Sequence, residues 1–160
     1  MTTPPSLDEE HEEIMGALGN FAKFRDETGS SIKNLLKVLE PHFQKENKIV
    51  MPVLGALSVL VSGEHVPNLQ EIAESQGALL HEYDNMYQEH AQIKVLIEQA
   101  TRAAKRENHQ EVTDLLEGLA HHARVEEEVL YPAAVLAGTV AKCITPSAPT
   151  PPKLEGHHDI

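Results

Sequence analysis

Tryptophan is absent from the 160 residues, phenylalanine and tyrosine occur three times each, and there is a single cysteine, Cys143. One thiol closes no internal disulfide, which excludes a secreted disulfide scaffold and makes the cytoplasm the expected compartment. Basic residues are scarce: 13 Lys and Arg stand against 25 Asp and Glu, for a formal charge of -12. Without a basic cluster, neither nucleic acid nor an anionic membrane surface is expected as a partner. Long apolar runs are missing as well. Residues 1–13 are acidic and lack the apolar segment of a secretory signal. The most apolar stretch, residues 49–61, is too short and too interrupted by Pro52 and Gly55 to span a bilayer. What the chain has in excess is histidine, ten in all.

No segment alternates apolar and polar residues with a period of two. Apolar residues instead recur every three or four positions in four stretches: from Leu7 to Ala22, from Ile32 to Leu57, from Ile72 to Ile97 and from Val112 to Ala133. The spacing predicts an all-α fold, an up-down-up-down four-helix bundle forming one domain over residues 1–142. Ser6 with Glu9 has the form of a capping box and predicts the start of the first helix. Gly29-Ser30-Ser31 predicts its break from the second. Asn68 with Glu71 and Asn108 with Glu111 predict the starts of the third and fourth. Pro52 falls inside the second apolar stretch and predicts a kink, not a stop; Pro132 falls inside the fourth. Residues 62–68 read as a loop. Residues 143–160, with Pro146, Pro149, Pro151 and Pro152, read as a flexible tail in which His157 and His158 are incidental.

The two halves resemble each other. His42-x-x-x-Glu46 leads to Pro52, and His122-x-x-x-Glu126 leads to Pro132; Glu follows His by four residues and Pro follows by ten in both. Upstream, Glu10-His11 and Glu89-His90 precede the downstream histidines by 31 and 32 residues. Each half is thus a hairpin with a lone His on its first helix and a His–Glu pair on its second. All six residues, His11, His42, Glu46, His90, His122 and Glu126, occupy helix positions where an apolar side chain is due. They share stripes with Leu7, Ile14 and Leu18; with Leu39, Ile49 and Val53; with Tyr83, Met86, Ile93 and Ile97; and with Leu119, Val129 and Ala133.

Residues four apart are neighbours on a helix face, so each His–Glu pair can present imidazole and carboxylate to one point. Buried without partners, such groups would cost several kcal/mol for each ion. A dication, or two, satisfies them. Imidazole and carboxylate without thiolate suit iron and admit manganese or zinc. The six fill one octahedron if all converge on one ion; shared between two, as the repeat favours, they give each ion two imidazoles, with Glu46 and Glu126 placed to bridge and positions open to a small ligand. The remaining histidines fit less well. His81 lies about 180° around the helix from His90, and His65 and His109 fall in links. His121, one residue off the stripe, is the rival of His122. Among Tyr83, Tyr87 and Tyr131, Tyr87 stands one turn from His90, though its plainer reading is a core tyrosine. Glu82, about 80° off the His90 stripe, is an outlying candidate.

Together, Glu10-His11, His42-x-x-x-Glu46 with Pro52, Glu89-His90, and His122-x-x-x-Glu126 with Leu130-Tyr131-Pro132 resemble the hemerythrin-like (HHE cation-binding) family over about residues 7–142. The resemblance implies a four-helix bundle around a non-haem di-iron centre: two iron ions with an oxo or hydroxo bridge, held by His11, His42, Glu46, His90, His122 and Glu126. The oxygen-carrying members have a further His one turn before the third-helix ligand, where this chain has Met86, and a longer His-to-Asp spacing on the last helix. The pattern is more similar to members linked to iron or oxygen sensing and to peroxide or nitric oxide handling. The expected function is a di-iron binding protein engaging dioxygen or a related small oxidant, with no general acid or base evident beyond the ligands. The alternative is an iron or redox sensor, or a protein-interaction module. The apolar continuations 53–61 and 133–141 suit packing against a partner chain, a second copy included. A histidine phosphotransfer bundle needs an exposed His, typically followed by Lys-Gly, which neither His42 nor His122 provides.

Overall fold

The computed structural model describes residues 4–62 and 68–144, and among them there is helix and no strand. The elements are α1 (Pro5–Phe21), α2 (Glu27–Ile49), α3 (Met51–Gly55), α4 (Leu57–Ser62), α5 (Leu69–Glu107), α6 (Gln110–Val125), a π-helical turn (Glu126–Leu130) and α7 (Tyr131–Ile144). They build four rods: α1; α2 to α4; α5; and α6 to α7. Packing joins α1 to α2 and α6, α2 to α5, and α5 to both α6 and α7, which makes an all-α bundle. Neighbouring rods run antiparallel where side chains tie their ends. The backbone N–H of Thr28 at the start of α2 donates to Glu107 at the end of α5, 2.8 Å away. Gln76, early in α5, donates to Thr139 late in α7 at 3.3 Å. No helix among the described residues is long and apolar enough to cross a membrane.

Several helix ends differ from the sequence expectation. Ser6 lies inside α1 and makes no cap; Pro4 precedes the helix, its carbonyl accepts from Leu7 and Asp8, and Pro5 fills a first-turn position where a missing N–H costs nothing. Gly29-Ser30-Ser31 also lies within a helix. Asp26 caps α2 by accepting from the Gly29 N–H at 2.9 Å, so the link is residues 22–26. A Cβ on Gly29 would lie 2.2 Å from the Phe24 carbonyl oxygen, so this first turn folds back over the link only because residue 29 has no side chain. Asn68 and Asn108 supply positive φ, 61° each, and neither caps through its side chain. Asn108 closes α5 in the left-handed conformation that Asn tolerates, and His109 takes the position before α6.

At Pro52 the expected kink is a break within the rod: α2 ends at Ile49, Val50 keeps a right-handed helical conformation, and α3 begins at Met51 with Pro52 in its first turn. Pro41 lies inside α2, one position before His42. Of the loop expected at 62–68, Ser62 ends α4, Asn68 precedes α5 and 63–67 lie outside the described residues. Of the tail expected at 143–160, Cys143 and Ile144 end α7, and 145–160, with His157 and His158, lie outside the described residues.

The core comes in two apolar clusters. One gathers Ile14, Leu18, Leu39, Phe43, Ile93 and Leu119 among others. The other holds Ile49, Val53, Leu79, Met86, Tyr131 and Ala134. Along every rod, the histidine and glutamate positions fall between members of the two. A polar layer is thus enclosed at mid-height.

Candidate metal centre

All six candidate residues are buried, at 5% exposure or less. They sort into two groups whose ligand atoms lie within 4.8 Å of one another: His42, Glu46, His90 and Glu126, and His11, His122 and Glu126. Each group draws one imidazole from each hairpin. The two carboxylates run between the groups. Glu46 turns Oε1 to His42 Nε2 at 3.4 Å and Oε2 to His11 Nε2 at 3.7 Å. Glu126 turns Oε2 to His90 Nε2 at 3.4 Å and Oε1 to His122 Nε2 at 2.8 Å and His11 Nε2 at 3.5 Å.

Every one of these imidazoles shows Nε2 to the centre, and for three of them a carboxylate explains why. Glu89 takes the Nδ1 side of His42 at 2.8 Å, Glu127 that of His90 at 3.0 Å, and Glu10 that of His122 at 3.1 Å. Fixing Nδ1 this way orients the ring and leaves Nε2 to coordinate. Glu10 and Glu89 are members of the repeated Glu-His motif, so a signal for them exists in the sequence. Glu127 carries none beyond its place after Glu126.

The same groups fit a cation. His11 and His122 bring their Nε2 atoms to 3.1 Å, close to the spacing of two nitrogens about 2.1 Å from one ion at right angles. Among the buried atoms that make no hydrogen bond are His42 Nε2, Glu46 Oε2 and Glu126 Oε1. Buried polar atoms without partners are rare, and here they converge.

Charge pairing holds the layer together. Burial alone would lower the His122 imidazole, but Glu126 outweighs it and pushes it up to about 9. Burial is likewise outweighed at His42, raised by Glu46 and then Glu89. Burial would raise the Glu126 carboxyl, yet the facing imidazoles of His11, His122 and His90 hold it far below the usual carboxylate range.

Tyrosine 131, not Tyr87, reaches the site. Its hydroxyl donates to Glu46 Oε1 and lies 3.2 Å from His90 Nε2. The cause is the π turn: the Tyr131 N–H bonds the carbonyl of Glu126, five residues back. The extra residue rotates everything beyond it by about 100° relative to an unbroken α-helix. Val129, expected on the buried stripe, is 55% exposed, while Tyr131 is fully buried and Ala134 is covered in place of Ala133. In the same register Pro132 should bond the Glu127 carbonyl but has no N–H. Tyr87 donates to that carbonyl instead, at 3.0 Å, which is its structural task.

The remaining candidates fall away from the layer. His121 and His81 are exposed. Glu82 pairs with Lys45 at 3.2 Å. A third group, Asp26, Glu107 and His109, closes one end of the bundle. Its oxygens are occupied by Gly29, Thr28, Glu27 and His109, so it acts as a clasp.

Comparison with known proteins yields no match among curated proteins or solved structures. The family model of the hemerythrin HHE cation-binding domain, however, matches residues 4–134, a span that holds all six buried His and Glu residues. The chain belongs to the hemerythrin HHE cation-binding domain family.

Proposed function

We propose that this chain holds two iron ions, one between His42 and His90 and one between His11 and His122, with Glu46 and Glu126 shared between them. The centre then engages dioxygen or a related small oxidant, peroxide or nitric oxide, in the cytoplasm. The division of the two carboxylates carries this reading, because each aims one oxygen at each imidazole pair. A donor set of imidazole and carboxylate without thiolate suits iron, and manganese and zinc accept the same donors.

When bound, the ions supply Lewis-acid and redox chemistry toward the small molecule. The protein's part is to orient, to exclude water and to hold a proton. Glu10, Glu89 and Glu127 set three of the rings. The apolar clusters on either side keep the layer dry. Burial, followed by the charge of Glu46, pushes the Tyr131 phenol far above its ordinary value, so it stays a neutral donor.

Anaerobic titration with ferrous iron, followed by metal analysis and admission of air, tests the reading. Two irons per chain and a new near-ultraviolet absorption are expected; one iron or fewer, with an unchanged spectrum, overturns it. The burial of six polar groups at mid-core favours a second reading, an iron or redox sensor whose folding follows its metal.

A further inference from the structure

The two hairpins superpose by number, and that register exposes an inequality between the imidazoles. His90 is backed by Glu127, which Lys94 holds in turn at 2.8 Å. His42 is backed by Glu89, held by Lys45 at 2.5 Å. Both rings of one pair therefore stand at the end of a Lys–Glu–His chain. The other pair is poorer. Glu10 behind His122 is 48% exposed at its side chain, and among the described residues no lysine holds it. Among the described residues His11 Nδ1 has no such partner: it is buried and makes no hydrogen bond.

The reason is legible in the repeat. The position matching Lys94, four residues after the lone histidine, is Met15 in the first hairpin. The position matching Glu127, directly after the paired glutamate, is Asn47. Both residues line a cleft of about 250 Å³ that opens between α1 and α2 and ends on His11. Asp8, Glu12 and Glu40 line the same cleft, and all three are exposed acids, a favourable entry for a dication.

We propose that the two ions are held unequally: the one between His11 and His122 exchanges readily, entering and leaving through the α1–α2 cleft, while the one between His42 and His90 is retained. The inference rests on the two-ion reading above. Loss of an orienting partner of a ligating imidazole costs 10- to 100-fold in metal affinity, which is the scale of the expected difference.

The test loads the full chain anaerobically with ferrous iron and adds excess bathophenanthroline disulfonate, following colour with time. Release in two phases of equal amplitude, at least about tenfold apart in rate, is expected. The double substitution Met15→Lys with Asn47→Glu installs the missing pair and slows only the fast phase. Glu127→Asn speeds only the slow one. Two irons leaving in a single phase overturns the inference and spares the two-ion reading, as does a fast phase unmoved by the double substitution. Uptake of one iron or fewer overturns both.

Discussion

Tyr131 shows how much a single side chain can carry in a layer of this kind. Its hydroxyl donates to Glu46 and stands beside His90, so Tyr131→Phe strips a buried carboxylate oxygen of a donor while leaving the ring's packing in place. The expected cost is about 1–3 kcal/mol, seen as a lower urea midpoint with an unchanged slope. The six candidate ligands were readable from sequence because each is polar where its helix demands an apolar residue, and the structure buries all of them. Tyr131 was one of three tyrosines that could bear on the site, and the period did not single it out: counting at 3.6 residues per turn places Val129, not Tyr131, inward, and only the π turn reverses that. His121 and His122 are told apart by the burial of one and the exposure of the other.

At the level of elements, the four rods follow from the apolar period, whereas their ends follow from local chemistry that the period does not contain. Asp26 rather than Gly29-Ser30-Ser31 marks the start of α2, because a side-chain oxygen can reach the Gly29 N–H from there. Asn108 terminates a helix instead of opening one, because its backbone adopts positive φ. A close approach of two rods also depends on a small residue. A Cβ on Gly138 of α7 would lie 2.2 Å from the Cβ of Gln76 on α5, a contact that no rotation of a side chain relieves. Gly138→Ala is therefore expected to push the rods apart and destabilise the fold by about 1–3 kcal/mol, measured by chemical denaturation.

For the molecule as a whole, a charged layer between two apolar clusters links folding to metal. Iron present at a hundredfold excess over its Kd stabilises the native state by about 2.7 kcal/mol for each independent site. In a chain of this length that corresponds to a rise in Tm of roughly 5–10 °C. Calorimetry with iron and after chelation checks this, and equal melting temperatures would count against the sensor reading. The repeat made the two halves visible in the sequence, but it is silent on which imidazoles meet, since that depends on how the rods pack. The packing joins His42 to His90 and His11 to His122, each across the halves. A lone hairpin of this design accordingly completes neither pocket, while two identical hairpins set face to face complete both.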